Sequence, residues 1–229
     1  MRSAQRESSA EAKQAPRSKD GGRAGHLAFV AHEMRNPLST ALWSAELLAR
    51  LSPEERGGPR GEKLAGMCLR TLARLRHLVE DHFLADRLAV HGIPVRIEGI
   101  PLAEALTAAA GRVAGARYEA AVDGFVVHAD RAMLERALEA LVAVAGRDGT
   151  AVQVAAERGQ GVVRIQVRGA PPGEDPFRLP DRSTPSDPTG RALGLLAAQS
   201  VAAVHGGTLE VCDGGYLLSL PVDPSGEER

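Results

Sequence analysis

Leu27, Ala31, Met34, Leu38, Ala41, Ala45 and Leu48 recur at alternating intervals of four and three residues. An apolar seam of that period restricts a chain to helices that pack along their length. The stretch SPEERGGPRG (52–61) interrupts it with two prolines and three glycines. From about Glu62 to Leu88 the rhythm resumes through Leu64, Cys68, Thr71, Leu75 and Leu78. The spacing predicts two helices joined by a loop, an antiparallel hairpin over residues 26–90. Such a hairpin cannot bury a wide apolar face alone. A homodimer is therefore expected, with two hairpins forming a four-helix bundle.

After HGIP (91–94) the texture changes. Short runs of β character appear: PVRIEGI, ARYEAAVD, GFVVHA, TAVQVAAE, GVVRIQV, GTLEV and GYLLSLPV. Between them lie the helical runs LAEALTAAAGRV, ADRAMLERALEALVAVAG and GRALGLLAAQSVAAVHG. Several strands follow one another directly. Residues 94–222 are thus expected to form an α+β sandwich, a mixed sheet with helices on one face.

The flanks are polar. The first 25 residues carry six Lys/Arg against three Asp/Glu and no apolar core, so they read as a disordered tail rather than a signal peptide. Residues 223–229 read as a second tail. No apolar run reaches the ~18–20 residues that span a bilayer. A formal net charge of −1 implies no pull toward nucleic acid, and 3% aromatic residues provide little for base stacking. Cys68 and Cys212 lie far apart without metal-ligand neighbours and read as reduced thiols of a cytoplasmic protein.

The chemistry concentrates in FVAHEMRNPL (29–38). Ala31 is expected to face the core, which puts His32 on the shoulder of the bundle with its imidazole reaching solvent. Asn36 lies one turn on and faces the same way. Glu33 is the adjacent carboxylate. It can accept a proton from one ring nitrogen and raise the nucleophilicity of the other. Pro37 lacks an N–H and clashes with the carbonyl four residues back, so a bend after the histidine is expected.

FVAHEMRNPLSTAL resembles the phospho-acceptor helix of bacterial sensor histidine kinases almost position for position. The resemblance implies that His32 accepts a phosphoryl group, that Glu33 acts as general base, and that Asn36 can position water for dephosphorylating a partner. His26, His77 and His82 lie outside the motif and read as surface or packing residues. Residues 94–222 resemble the Bergerat-type ATPase domain of the same family. DRAMLERALEALVAVAG sits at the asparagine-box helix, GVVRIQVRGAPPGED at the first glycine box, and TGRALGLLAAQSVAAVHGGTLEV at the second.

The residues that the resemblance would require for nucleotide binding are largely replaced. The metal-ligating asparagine position is Val144, and the asparagine one turn earlier is Ala140. Neither supplies the oxygen ligand a hard cation needs. No asparagine occurs anywhere in 94–222. The adenine-binding aspartate position is Gly169, and Pro171 stands where a glycine lets the backbone approach the base. Gly190 and Gly194 are retained, with Ala192 between them. The following PPGEDPFRLPDRSTPSDP is proline-rich and ill suited to a nucleotide lid. Losing the adenine partner costs ~1–3 kcal/mol and losing a metal ligand at least ~10-fold in metal affinity. Together these move a micromolar site toward millimolar.

No cofactor is therefore expected, ATP and Mg²⁺ entering only if the nucleotide site works. Three readings stand. The first is a histidine phosphotransferase, exchanging a phosphoryl group between His32 and a response-regulator aspartate. The second is an active kinase with an atypical site. The third is a non-catalytic module that docks on another histidine kinase or a response regulator, with a phosphatase acting through Asn36 as a relative of it. The first is the leading expectation.

Overall fold

The computed structural model describes residues 19–90, 94–181 and 190–222. Residues 1–18, the link 91–93, residues 182–189 with the end of the proline-rich stretch, and the 223–229 tail lie outside them.

Helix α1 (Lys19–Arg50) and helix α3 (Pro59–Val90) form the hairpin, with the single-turn α2 (Pro53–Arg56) between them. The tail reading fails over 19–25, because α1 begins at Lys19. Extending an existing helix adds one hydrogen bond per residue fixed, so a helix anchored downstream grows past weak residues. The 52–61 breaker is also partly helical. Ser52 caps α2 with a reciprocal capping box: its hydroxyl accepts from Glu55 N–H while the Glu55 carboxylate accepts from Ser52 N–H. Pro59 then opens α3, at the first helical position, where its missing N–H costs nothing.

The α3 seam behaves as read. Leu64 and Leu78 are buried and Cys68 Sγ approaches the Ala41 carbonyl at 3.5 Å. The α1 seam does not. Ala31 is exposed rather than in the core, as are Leu27 (51%) and Leu38 (54%). The face of α1 that meets α3 is Val30, Glu33, Pro37, Ala41 and Ser44. The heptad pattern named a real apolar stripe that the hairpin only partly covers: Ala41 is buried and Met34 half-buried, while Leu27, Ala31, Leu38 and Ala45 stay outside.

The second half holds strands β1 (Glu98–Pro101), β2 (Tyr118–Ala121), β3 (Val126–Ala129), β4 (Val152–Gly159), β5 (Val162–Arg168), β6 (Thr208–Cys212) and β7 (Gly215–Pro221). Helices α4 (Leu102–Arg112), α5 (Arg131–Ala145) and α6 (Arg191–Val204) lie between them. The main sheet runs β2-β4-β5-β7-β6, with β2 parallel to β4 and the other pairs antiparallel. β1 and β3 make a separate antiparallel ladder. Alternate residues point inward: Val152 and Val154, Val163, Ile165 and Val167, Tyr216, Leu218 and Leu220. They meet Leu134, Leu138 and Leu141 of α5 and Leu195, Ala198 and Val201 of α6 in one core. Period-2 burial and a helical layer over one face are the expected sandwich.

His205 ties two of these helices together. Its Nε2 accepts from Asp130 N–H at 2.9 Å, and its Nδ1 lies 2.8 Å from the Val201 carbonyl. Asp130 in turn caps α5 by accepting from Met133 N–H at 3.2 Å. The end of α6 thereby holds the start of α5, the helix that carries Ala140 and Val144.

Candidate functional site

Successive residues of a helix lie about 100° apart, and α1 uses that rotation to separate His32 from Glu33. His32 and Asn36, one turn apart, are exposed on the same side. Glu33 turns toward α3 and is only 1% exposed. The structure thus joins the histidine and the asparagine on an open face and puts the carboxylate behind them. Pro37 sits inside an unbroken helix. It supplies no N–H to its turn, and side-chain hydroxyls bond to carbonyls around it. Thr40 Oγ1 donates to the Asn36 carbonyl at 3.1 Å and Ser44 Oγ to the Thr40 carbonyl at 2.7 Å.

The other site residues are in the second half. Ala140, Gly190 and Gly194 line a cleft of about 520 Å³ whose opposite wall is α3, from Arg70 through His77 to Asp81. Val144 is elsewhere: it is buried in the core and is absent from the cleft lining. Gly169 closes against the end of α5. Its N–H donates to the Gly214 carbonyl at 3.1 Å and the next N–H, of Ala170, to the Ala145 carbonyl at 2.7 Å. A Cβ at 169 would collide with that same Ala145 carbonyl oxygen. Pro171 has its carbonyl tied down by the Arg147 guanidinium. Gly190 adopts φ +71° at the start of α6, a conformation that disfavours side chains.

Sequence reasoning missed the charge cluster beside the cleft. Arg136 Nε donates to Asp81 Oδ1 at 2.7 Å, and its Nη1 lies 2.9 Å from Glu139 Oε1 and 2.6 Å from His77 Nδ1. Its Nη2 donates to the His77 carbonyl at 3.2 Å. Burial pushes the Asp81 carboxyl above the usual carboxylate range, against the opposing pull of Arg136. The Arg136–Glu139 half was visible as an i,i+3 pair. The Asp81 half joins residues 55 apart, for which sequence carries no local signal. His26 and His82 read as packing residues, and their rings meet at a tilt of 47° with centroids 5.3 Å apart. His77 is drawn into the cluster instead of lying at a plain surface.

Among the described residues no group of three or more His, Cys, Asp or Glu side chains could hold a metal ion. No helix among them is long and apolar enough to cross a membrane.

Residues 23–88 match the family model of the His Kinase A (phospho-acceptor) domain. The chain is 29% identical over 226 residues to the sensor histidine kinase ZraS of Klebsiella oxytoca, covering 90% of this chain and 47% of that one. It is 29% identical over 204 residues to ZraS of Salmonella typhi, covering 82% and 42%. It thus spans about half the length of the curated relatives it matches. Among solved structures, the histidine kinase AdeS of Acinetobacter baumannii superposes with a TM-score of 0.62 at 18% identity, covering 84% of this chain and 98% of that one. The histidine kinase ThkA, in complex with the response regulator protein TrrA, superposes with a TM-score of 0.54 at 19% identity, covering 91% and 66%. These structural likenesses establish the fold, and the phospho-acceptor match falls on the helices that carry His32. Residues 23–88 thus form a His Kinase A (phospho-acceptor) domain, the α/β half that follows has the fold of histidine-kinase ATPase-like structures, and over most of its length the chain is similar to bacterial sensor histidine kinases.

Proposed function

We propose that His32 exchanges a phosphoryl group with an aspartate of a response-regulator receiver domain, and that the chain does so without productive ATP binding. One observation carries the reading: His32 and Asn36 share an open face, while the positions expected to hold Mg²⁺ and adenine are Ala140, Val144 and Gly169. Val144 is in the core, Ala140 offers only a methyl group, and Gly169 has no room for a Cβ. These residues do not fit a metal–nucleotide complex.

The transfer needs little from this protein. A ring nitrogen of His32 attacks the phosphorus of the partner's acyl phosphate. The N–P bond forms as the P–O bond to the aspartate breaks, and the electron pair leaves with the carboxylate. The receiver supplies the charge stabilisation. Asn36 orients water for dephosphorylation, whereas Glu33, the base that the resemblance implies, lies on the buried side of α1 and not on the face shared by His32 and Asn36. The ThkA–TrrA complex supports a receiver domain as partner. The exposed stripe Leu27, Leu38, Leu42, Leu69 and Leu72 supports a homodimeric four-helix bundle, with residues 26–90 as the phosphotransfer domain and 94–222 as its scaffold. One neighbour, ShkA, was solved with AMPPNP, which favours the kinase reading as the alternative.

The test pairs two measurements on the purified chain. Titration calorimetry with Mg²⁺ and ATP is expected to show no binding up to millimolar nucleotide. Incubation with phosphorylated receiver domains is expected to move label onto the wild type and not onto His32→Gln. Micromolar binding of Mg·ATP followed by labelling of His32 would overturn the proposal in favour of an active kinase.

A further inference from the structure

Helix α3 belongs to the hairpin, yet its second half lies against the α/β half of the chain. Leu78 packs with Leu193 of α6 and with Phe29 and Val30 of α1, in a small core separate from the main one. The retained glycines are where this packing is tightest. A Cβ added at Gly190 would lie 2.5 Å from Leu78 Cδ2, closer than real Cβ contacts come. A Cβ at Gly194 would lie 3.3 Å from Ala140 Cβ and 3.6 Å from Asp81 Oδ2. Gly190 therefore lets α6 approach α3, while Gly194 brings α6 close to α5 and leaves an ordinary contact with Asp81 of α3. Beside them the Asp81–Arg136 pair crosses from hairpin to α5, with both side chains largely buried. Arg136 also holds the His77 carbonyl and ring nitrogen, so one guanidinium grips a full turn of α3. A bidentate planar cation suits that task better than an ammonium.

We propose that the surface bearing Gly190, Gly194 and Arg136 is an intramolecular docking face for helix α3, and that this lock makes the phospho-acceptor hairpin and the ATPase-like half one unit. The lock gives Gly190 a role that needs no nucleotide, and Gly194 a place in the close packing of α6 on α5 beside it. It also restricts approach to His32, because Leu193 covers Phe29 and Val30 just ahead of it on α1. A partner must then reach the imidazole from the face shared with Asn36. The inference stands apart from the phosphotransfer reading, since it rests on packing and charge and not on the chemistry at His32.

Charge reversal with rescue tests it in the full chain. Asp81→Arg, Arg136→Asp and the double exchange are compared by hydrogen–deuterium exchange, with circular dichroism to confirm folding. Each single reversal is expected to speed amide exchange in residues 77–84 and 190–197 by at least about tenfold, and the double exchange to restore most of the protection. Wild-type protection in both single variants, or no recovery in the double, would overturn the lock. If the reversals unfold the chain, Asp81→Asn keeps the shape and removes the charge. Faster exchange in the two segments then supports the proposal and unchanged exchange sinks it. Loss of the lock with phosphoryl exchange at His32 retained would separate this inference from the phosphotransfer reading.

Discussion

At the scale of single residues, Gly169 shows how far the nucleotide site has moved from what a point change could restore. The position is filled by the end of α5: the Ala145 carbonyl accepts the Ala170 N–H at 2.7 Å, and a Cβ at 169 would strike the same oxygen. Gly169→Ala is expected to lower stability by about 1–3 kcal/mol through overpacking, read from the midpoint of chemical denaturation. Reinstating both expected ligands, as Gly169→Asp with Val144→Asn, should lower stability further and yield no ATP binding by calorimetry. Val144 is in the core, and an amide buried there without partners costs about 1–3 kcal/mol. Wild-type stability in Gly169→Ala would show that the α5 end yields. The absence of an asparagine was plain from the chain alone. That Gly169 is sterically required was not, because the atom it would strike belongs to a residue 24 positions away.

At the scale of elements, the hairpin carries a pair of histidines in ring contact near its open end. Burial lowers the His26 pKa below the ordinary 6.5, and the neighbouring His82 lowers it further. The Pro180 carbonyl and Asp86 pull the other way with smaller effect. Arg178 and Asp181, paired at 3.4 Å, belong to the same 178–181 segment as Pro180. A histidine whose folded pKa is depressed binds fewer protons in the folded state than in the unfolded state. Its contribution to stability is therefore present above pH 6.5 and is lost as pH falls through the lowered folded value. Urea midpoints measured across that window should fall on acidification, and His26→Leu should flatten the slope. An unchanged slope in the variant would assign the pH dependence to other groups.

At the scale of the whole molecule, the exposed leucines of α1 and α3 need a cover. Leu38 and Leu42 are 54% and 59% exposed in the single chain. Burying a leucine contributes about 1.5–3 kcal/mol, so a second hairpin on this stripe would gain several such contributions. Light scattering is expected to give a dimer for the wild type and a monomer for Leu38→Glu with Leu42→Glu. A wild-type monomer at micromolar concentration would remove the basis for the four-helix bundle.

The same stripe separates what was legible in the chain from what was not. The heptads at 27–48 and 64–78, the alternating runs that became β4, β5 and β7, and the His-Glu-x-x-Asn-Pro spacing at 32–37 are local patterns. A helix or strand is selected within a few residues, so those patterns marked the main elements and their order, though not the start of α1 at Lys19 or the turn α2; His32 is exposed beside Asn36 as expected, although Ala31 is not in the core. Periodicity defines a face, however, and does not name its neighbour. Only the tertiary structure decided that α1 turns Val30, Glu33, Pro37 and Ala41 toward α3 and leaves Leu27 and Leu38 outside. Only it brought Asp81 to Arg136 and Leu78 to Gly190, because such contacts depend on how distant segments pack and not on the preference of any one of them.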